Sequence, residues 1–169
     1  MAGCIYCIDN DILKKLATFD LFNDTVSLFG AAPAQVNVLE TAKYKFQGDW
    51  DKLKKGKARK PEAKFVNYEK TIELAKTLPR IGEAEISPDL FLEISQVDDI
   101  HSGEAILTAY VIEILQKEEN AQVCIFTGDK NYLRALAAVS PSTFQKILAH
   151  RFWCLEQLIL RDIKVYSFE

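Results

Sequence analysis

Short apolar runs separated by helical patterns, and never by tight hairpins, are what most restrict the folds open to this chain. Residues 4–9 (CIYCID) and 121–129 (AQVCIFTGD) read as buried strands, brief and apolar and ending in polar residues. Between and after them lie helical stretches. Residues 11–18 and 20–29 read as two helices, and Ala31-Ala32-Pro33 breaks the pattern. A helix is predicted over 33–47, with Pro33 in its first turn. A polar, lysine-rich connection covers 48–60, and a long helix over 60–79 shows Phe65, Tyr68, Ile72 and Ala75 at helical spacing before Pro79. Ser87 and Pro88 open a short helix over 87–97, as N-cap and first helical residue. Strong helical patterns follow at 103–119 and over KNYLRALAAV, then a short one at 142–148 beyond Pro141. HRFWC reads as a third strand, LEQLILR as a helix and KVYSF (164–168) as a last strand. Strands joined through helices and not by tight hairpins favour a parallel sheet covered on both faces. The expectation is an α/β fold, a three-layer α/β/α sandwich with a central, mainly parallel sheet.

Bulk properties exclude several classes. The 169 residues suffice for one domain, 1–169, with a helical and basic elaboration around 48–85. The net charge of −3 removes any whole-chain attraction to nucleic acid, so such attraction must be local. No apolar run nears the ~18 residues of a membrane helix. No basic stretch followed by an apolar one opens the chain, so a cytoplasmic protein is expected. Cys4 and Cys7 would point to opposite faces of a strand. Together with Cys124 and Cys154 they read as buried free thiols of a reducing compartment.

The chemistry lies where the strands end. In a parallel sheet, ligands bind beyond the carboxyl ends of the strands. The first strand delivers Asp9 there and the second Asp129, and the two share a crevice if the strands are neighbours. Glu104 opens the helix that precedes the second strand, Glu40 stands among apolar residues in VNVLETA, and Asn131 adds a neutral oxygen. Oxygen donors of this kind suit Mg²⁺ or Mn²⁺. Converging carboxylates repel, and a divalent ion relieves the repulsion. Each acid also has a simpler use: Asp9 and Asp129 as helix caps, Asp11 and Glu104 as first-turn acids that suit the helix dipole.

Taken together, these motifs resemble the PIN-domain family of metal-dependent nucleases. The opening strand followed by Asp-x-Asn/Ser/Asp-x-Leu/Ile stands here as IDNDIL; the helical acid stands as NVLETA, the third acid as HSGEAILTA and the last strand motif as IFTGDKNYL. The chain is longer than a minimal member, and Asn131 stands where an acid is common. The resemblance implies that Asp9, Glu104 and Asp129 hold one or two ions, and that Glu40 and Asn131 ligate directly or through water. Asp11 would order the site, and Thr127 would hydrogen-bond a ligand or a substrate phosphate. The implied reaction is hydrolysis of a phosphodiester, leaving 5′-phosphate and 3′-hydroxyl ends. RNA is the implied substrate, with an antitoxin protein or a second copy of the chain as further partners. His101 reads as a helix-start residue near the site.

Residues 52–64 (KLKKGKARKPEAK) carry seven basic residues and one acid. Lys52, Lys54, Lys55, Lys57, Arg59 and Lys60 would follow a phosphate backbone, and Tyr44, Phe46 and Trp50 would stack on unpaired bases. Two rival readings stand beside the nuclease. One is a PIN-like module that binds nucleic acid or protein without cleaving. The other is a phosphatase of the haloacid dehalogenase type, against which Leu133 stands where a second acid is wanted.

Overall fold

The computed structural model of the chain describes residues 5–58, 60–138, 148 and 150–166. Five strands form one sheet in the order β3-β2-β1-β4-β5, and every neighbouring pair is parallel. The strands are β1 (Ile5–Ile8), β2 (Val36–Leu39), β3 (Arg80–Ile81), β4 (Val123–Phe126) and β5 (Phe152–Trp153). Helices α1 (Asn10–Thr18) and α2 (Phe22–Leu28) link β1 to β2; α3 (Ala42–Lys54) and α4 (Tyr68–Thr77) link β2 to β3. Helices α5 (Pro88–Ser95) and α6 (Ser102–Lys117) cross back to β4, α7 (Lys130–Ala138) follows it, and α8 (Leu155–Tyr166) follows β5.

The chain steps outward from β1 to β2 and β3, then returns past β1 to β4. Right-handed crossovers put α1 to α4 on one face and α5 and α6 on the other. Helix packing agrees: α4 lies against α1 and α3, and α5 against α6. The three-layer sandwich is therefore present, with a sheet that is wholly parallel among the described residues. Cys7, Val38 and Ile125, on the three central strands, are fully buried between the layers.

Sequence patterns located β1, β4, β5, α1, α2 and α5 to α7 within a few residues. Ser87 caps α5 as expected, its Oγ accepting from the Leu90 amide at 3.5 Å. Four readings need correction. The helix expected over 33–47 is a 3-10 turn at Pro33–Gln35, then β2, then the start of α3. Val38, Ala42 and Phe46 repeat every four residues and mimic one helical face, while Val36 and Val38 alternate as a strand does. The connection expected from 48 is instead the second half of α3, held by half-buried Trp50 and Leu53. The long helix over 60–79 begins only at Tyr68: Asn67 caps α4, its side chain accepting from the Lys70 amide at 3.1 Å, and Phe65 lies outside in a 3-10 turn, 71 % exposed. Finally, α8 runs on through Tyr166, so the expected last strand is helical over 164–166. No Gly or Pro interrupts that stretch. Asp162 carries the buried face onward, accepting a bond from Thr25 Oγ1 of α2, and the Arg161 guanidinium lies over the Phe29 and Trp153 rings. The helix expected at 142–148 lies almost wholly outside the described residues, as do Arg59, Cys4 and the end of the expected last strand.

Cys7 is a buried free thiol, and burial pushes it well up, whereas Cys124 and Cys154 are only half-buried. Among the described residues, no helix is long and apolar enough to cross a membrane.

Candidate active site at the carboxyl edge of the sheet

In a parallel sheet all strands end at one edge. The strand order reverses between β1 and β4, so that pair marks the switch point where open α/β sheets bind ligands. The condition set for Asp9 and Asp129 is met: Ile8 pairs with Phe126, and the Asp9 amide donates to the Phe126 carbonyl at 2.9 Å.

Asp9 occupies the N-cap position of α1, yet its side chain makes no capping hydrogen bond. Burial raises its carboxyl above the usual range, and the neighbouring charge of Asp11 raises it further; Lys45 and the amides of Asn10 and Asp11 oppose this. Beside it, Asn10 is buried and its Oδ1 has no hydrogen-bond donor.

Asp129 does act as a cap. Its Oδ1 accepts from the amides of Asn131 at 2.8 Å and Tyr132 at 3.1 Å, which fixes the start of α7. Thr127 is buried and accepts from the Asp129 amide at 3.2 Å, so its hydroxyl shapes the loop that presents Asp129. Asn131 is exposed, and it is its amide that engages Asp129.

Glu104 is only 8 % exposed. Its Oε2 accepts from the His101 amide at 2.8 Å, closing the first turn of α6. His101 itself is exposed at the helix start. Burial raises the Glu104 carboxyl, the His101 amide lowers it, and the negative charges of Asp129 and Asp9 raise it again. Two acids remote in sequence, Asp9 and Asp129, therefore act on Glu104 through space. Gly103 eases this: a methyl group there would lie 2.8 Å from Leu39 Cδ1, so a side chain would have to displace Leu39 or lift the start of α6 from the end of β2. Below the acids, Thr108 Oγ1 donates to the Glu104 carbonyl at 2.7 Å and meets Tyr132 Oη at 2.5 Å. Thr108 has one proton, already given to Glu104, so Tyr132 donates in the second bond. That buried pair ties α6 to α7, and hence Glu104 to Asp129.

Glu40 follows β2 directly, an exposed residue at a strand end and not a helical one. Its carboxylate is turned toward β3. A methyl at Gly82 would stand 2.5 Å from Glu40 Oε2 and 3.3 Å from Oε2 of Glu85, an acid that sequence reading missed. Asp11 is held by Lys15 at 2.6 Å and Lys14 at 3.3 Å. Partial burial works to raise its carboxyl, but the two ammonium groups outweigh that and keep it below the usual range.

The basic residues divide. Lys52 and Lys54 lie in the last turn of α3, at the opposite end from Glu40 and ~15–20 Å along the axis. Lys52 pairs with Asp49 at 3.7 Å and Lys54 with Asp51 at 3.2 Å. Lys55, Lys57 and Lys60 follow, all exposed. The cation that reaches the site electrostatically from α3 is Lys45, near its start. Of the aromatics expected to meet bases, Phe46 is buried in the core and Trp50 packs on Tyr68 at 5.4 Å between ring centres.

Among the described residues, no three or more His, Cys, Asp or Glu side chains are gathered tightly enough to hold a metal ion as they stand. One oxygen of Asp129 is engaged by the α7 cap and one of Glu104 by the α6 turn. The donors that share the edge are nonetheless all hard oxygens whose charges repel, which is the chemistry a divalent ion suits. No protein-family model matches the sequence, and no curated protein matches it.

Proposed function

We propose that this protein is a divalent-metal-dependent nuclease, with RNA as the favoured substrate. One observation carries the reading. Asp9 and Asp129, at the ends of neighbouring central strands, raise the carboxyl of Glu104 from across the switch point. A buried acid in a strand-end crevice whose charge is disfavoured by acids remote in sequence is a functional-site candidate.

Asp9, Glu104 and Asp129 would hold Mg²⁺ or Mn²⁺, with Glu40 and Asn131 at the rim. A bound ion supplies a water of lowered pKa and stabilises charge on the scissile phosphate. The chain's own contribution is placement. Thr127 shapes the loop that carries Asp129, the Thr108–Tyr132 pair ties α6 to α7, and Gly103 admits Glu104 to the strand ends. Lys45 offers a positive charge beside Asp9 for a substrate phosphate. An antitoxin as binding partner extends the family resemblance one step further.

The test is cleavage of a mixed panel of single-stranded RNA and DNA with Mg²⁺ or Mn²⁺, using Asp9→Asn and Asp129→Asn as controls. Metal-dependent cleavage that both substitutions reduce at least a hundredfold is expected. No metal-dependent cleavage, or wild-type rates in both variants, would sink the nuclease reading and favour a binding module.

A further inference from the structure

The lysines that stand out in the sequence lie at the end of α3 away from the acids, so something nearer must hold a polymer at the strand ends. The start of α3 carries the parts. Tyr44 is 67 % exposed, on the side of the helix away from buried Ala42 and Phe46. Lys43 Nζ stands 4.6 Å from the centre of its ring, and Lys45 adds the charge that acts on Asp9. One turn on, Gly48 leaves open space where a side chain would be. Exposed Lys52 and Lys55 continue the outer surface. Beyond the helix, Phe65 is 71 % exposed with Lys64 Nζ 5.0 Å from its ring centre.

A flat aromatic ring in water, flanked by ammonium groups, matches an unpaired base and its phosphates. A duplex hides its base faces in its own stack and gains nothing from such a ring. We propose that the outer face of α3 is a track for single-stranded nucleic acid, with a base stacked on Tyr44, phosphates against Lys43 and Lys45, and the strand continuing toward Lys52 and Lys55. The track names the form of substrate for the proposed nuclease and rests on that reading only for what happens to the strand.

Binding is therefore tested apart from cleavage, by fluorescence anisotropy in EDTA with a labelled single-stranded oligouridine and a duplex competitor. The single strand should bind and the duplex should compete poorly. Tyr44→Ala should weaken binding about tenfold or more, and Tyr44→Phe should stay within about twofold of wild type. Lys45→Gln should lower the slope of log affinity against log salt by about 0.7, one phosphate contact. Circular dichroism checks that each variant is folded. No binding by the wild type, equal competition by duplex, or wild-type affinity in Tyr44→Ala would overturn the track. Cleavage with Mn²⁺ at subsaturating substrate separates the two ideas. Cleavage indifferent to Tyr44→Ala removes the track and leaves the nuclease. Tyr44-dependent binding without cleavage leaves the track and removes the nuclease.

Discussion

Glu104 shows how a single residue carries both a structural and a chemical task. One oxygen closes the first turn of α6, while burial and two neighbouring acids make its charge costly. Its folded pKa, like that of Asp9, is raised, so the folded state holds these protons more tightly than the unfolded chain. The cost is absent below the unfolded value, about 4.3 for Glu, and complete above the folded value. These groups thus destabilise the metal-free protein as pH rises through that window. Glu104→Gln keeps an oxygen for the His101 amide and removes the charge. In EDTA the variant should exceed wild type by about 0.5–2 kcal/mol at pH 8, and the gap should shrink toward pH 4. Urea denaturation across pH measures this; a gap independent of pH, or a less stable variant, would contradict it. Asp11 behaves oppositely, since its lysines favour the charged form.

Placement of the acids belongs to the elements. The end of β1 was legible because four apolar residues stop at an acid, and the four of β4 lead to one after Thr127 and Gly128. What the pattern lacked was β2, whose four residues sit beside an apolar repeat that suits a helix equally. Glu40 was therefore found but set in the wrong element. Two-residue β3 carries no periodicity at all, and Glu85 beyond it went unseen. The contact of α6 with β2 gives a test. In Gly103→Ala the methyl must displace Leu39 Cδ1 or lift the first turn of α6. Stability should stay within about 1 kcal/mol of wild type, because Ala favours the helix by a similar amount. Cleavage should fall about tenfold or more, since small misplacements at a reacting site are costly. Full activity in this variant would show that Gly103 does not position Glu104.

For the whole molecule, the question is whether folding and ligand are linked. A sheet whose order reverses between β1 and β4 brings two acids together that are remote in sequence, and both make the charge of Glu104 costlier. An ion bound only by the folded state stabilises it by about 2.7 kcal/mol at one hundred times its dissociation constant. In a chain of this size, that raises the melting temperature by about 5–10 °C. Wild type should show this shift with Mn²⁺, while Asp9→Asn and Asp129→Asn should lose most of it, as read by thermal scans against EDTA. Equal shifts in all three proteins would place any bound ion elsewhere.

Composition, short apolar runs and helical spacing were enough for the α/β class, the parallel sheet and the two acids that end its central strands. Those are local properties, since a strand of four residues and the acid after it are neighbours in the chain. Strand order, the face each helix covers and the distance from the lysines to the acids are not local. The lysine-rich stretch looked like a grip because charge density is visible in sequence, but α3 carries it away from the acids and presents Lys45 and Tyr44 at its start instead. Which acids share a field, and which merely cap a helix, follows from through-space contacts that depend on the packed layers.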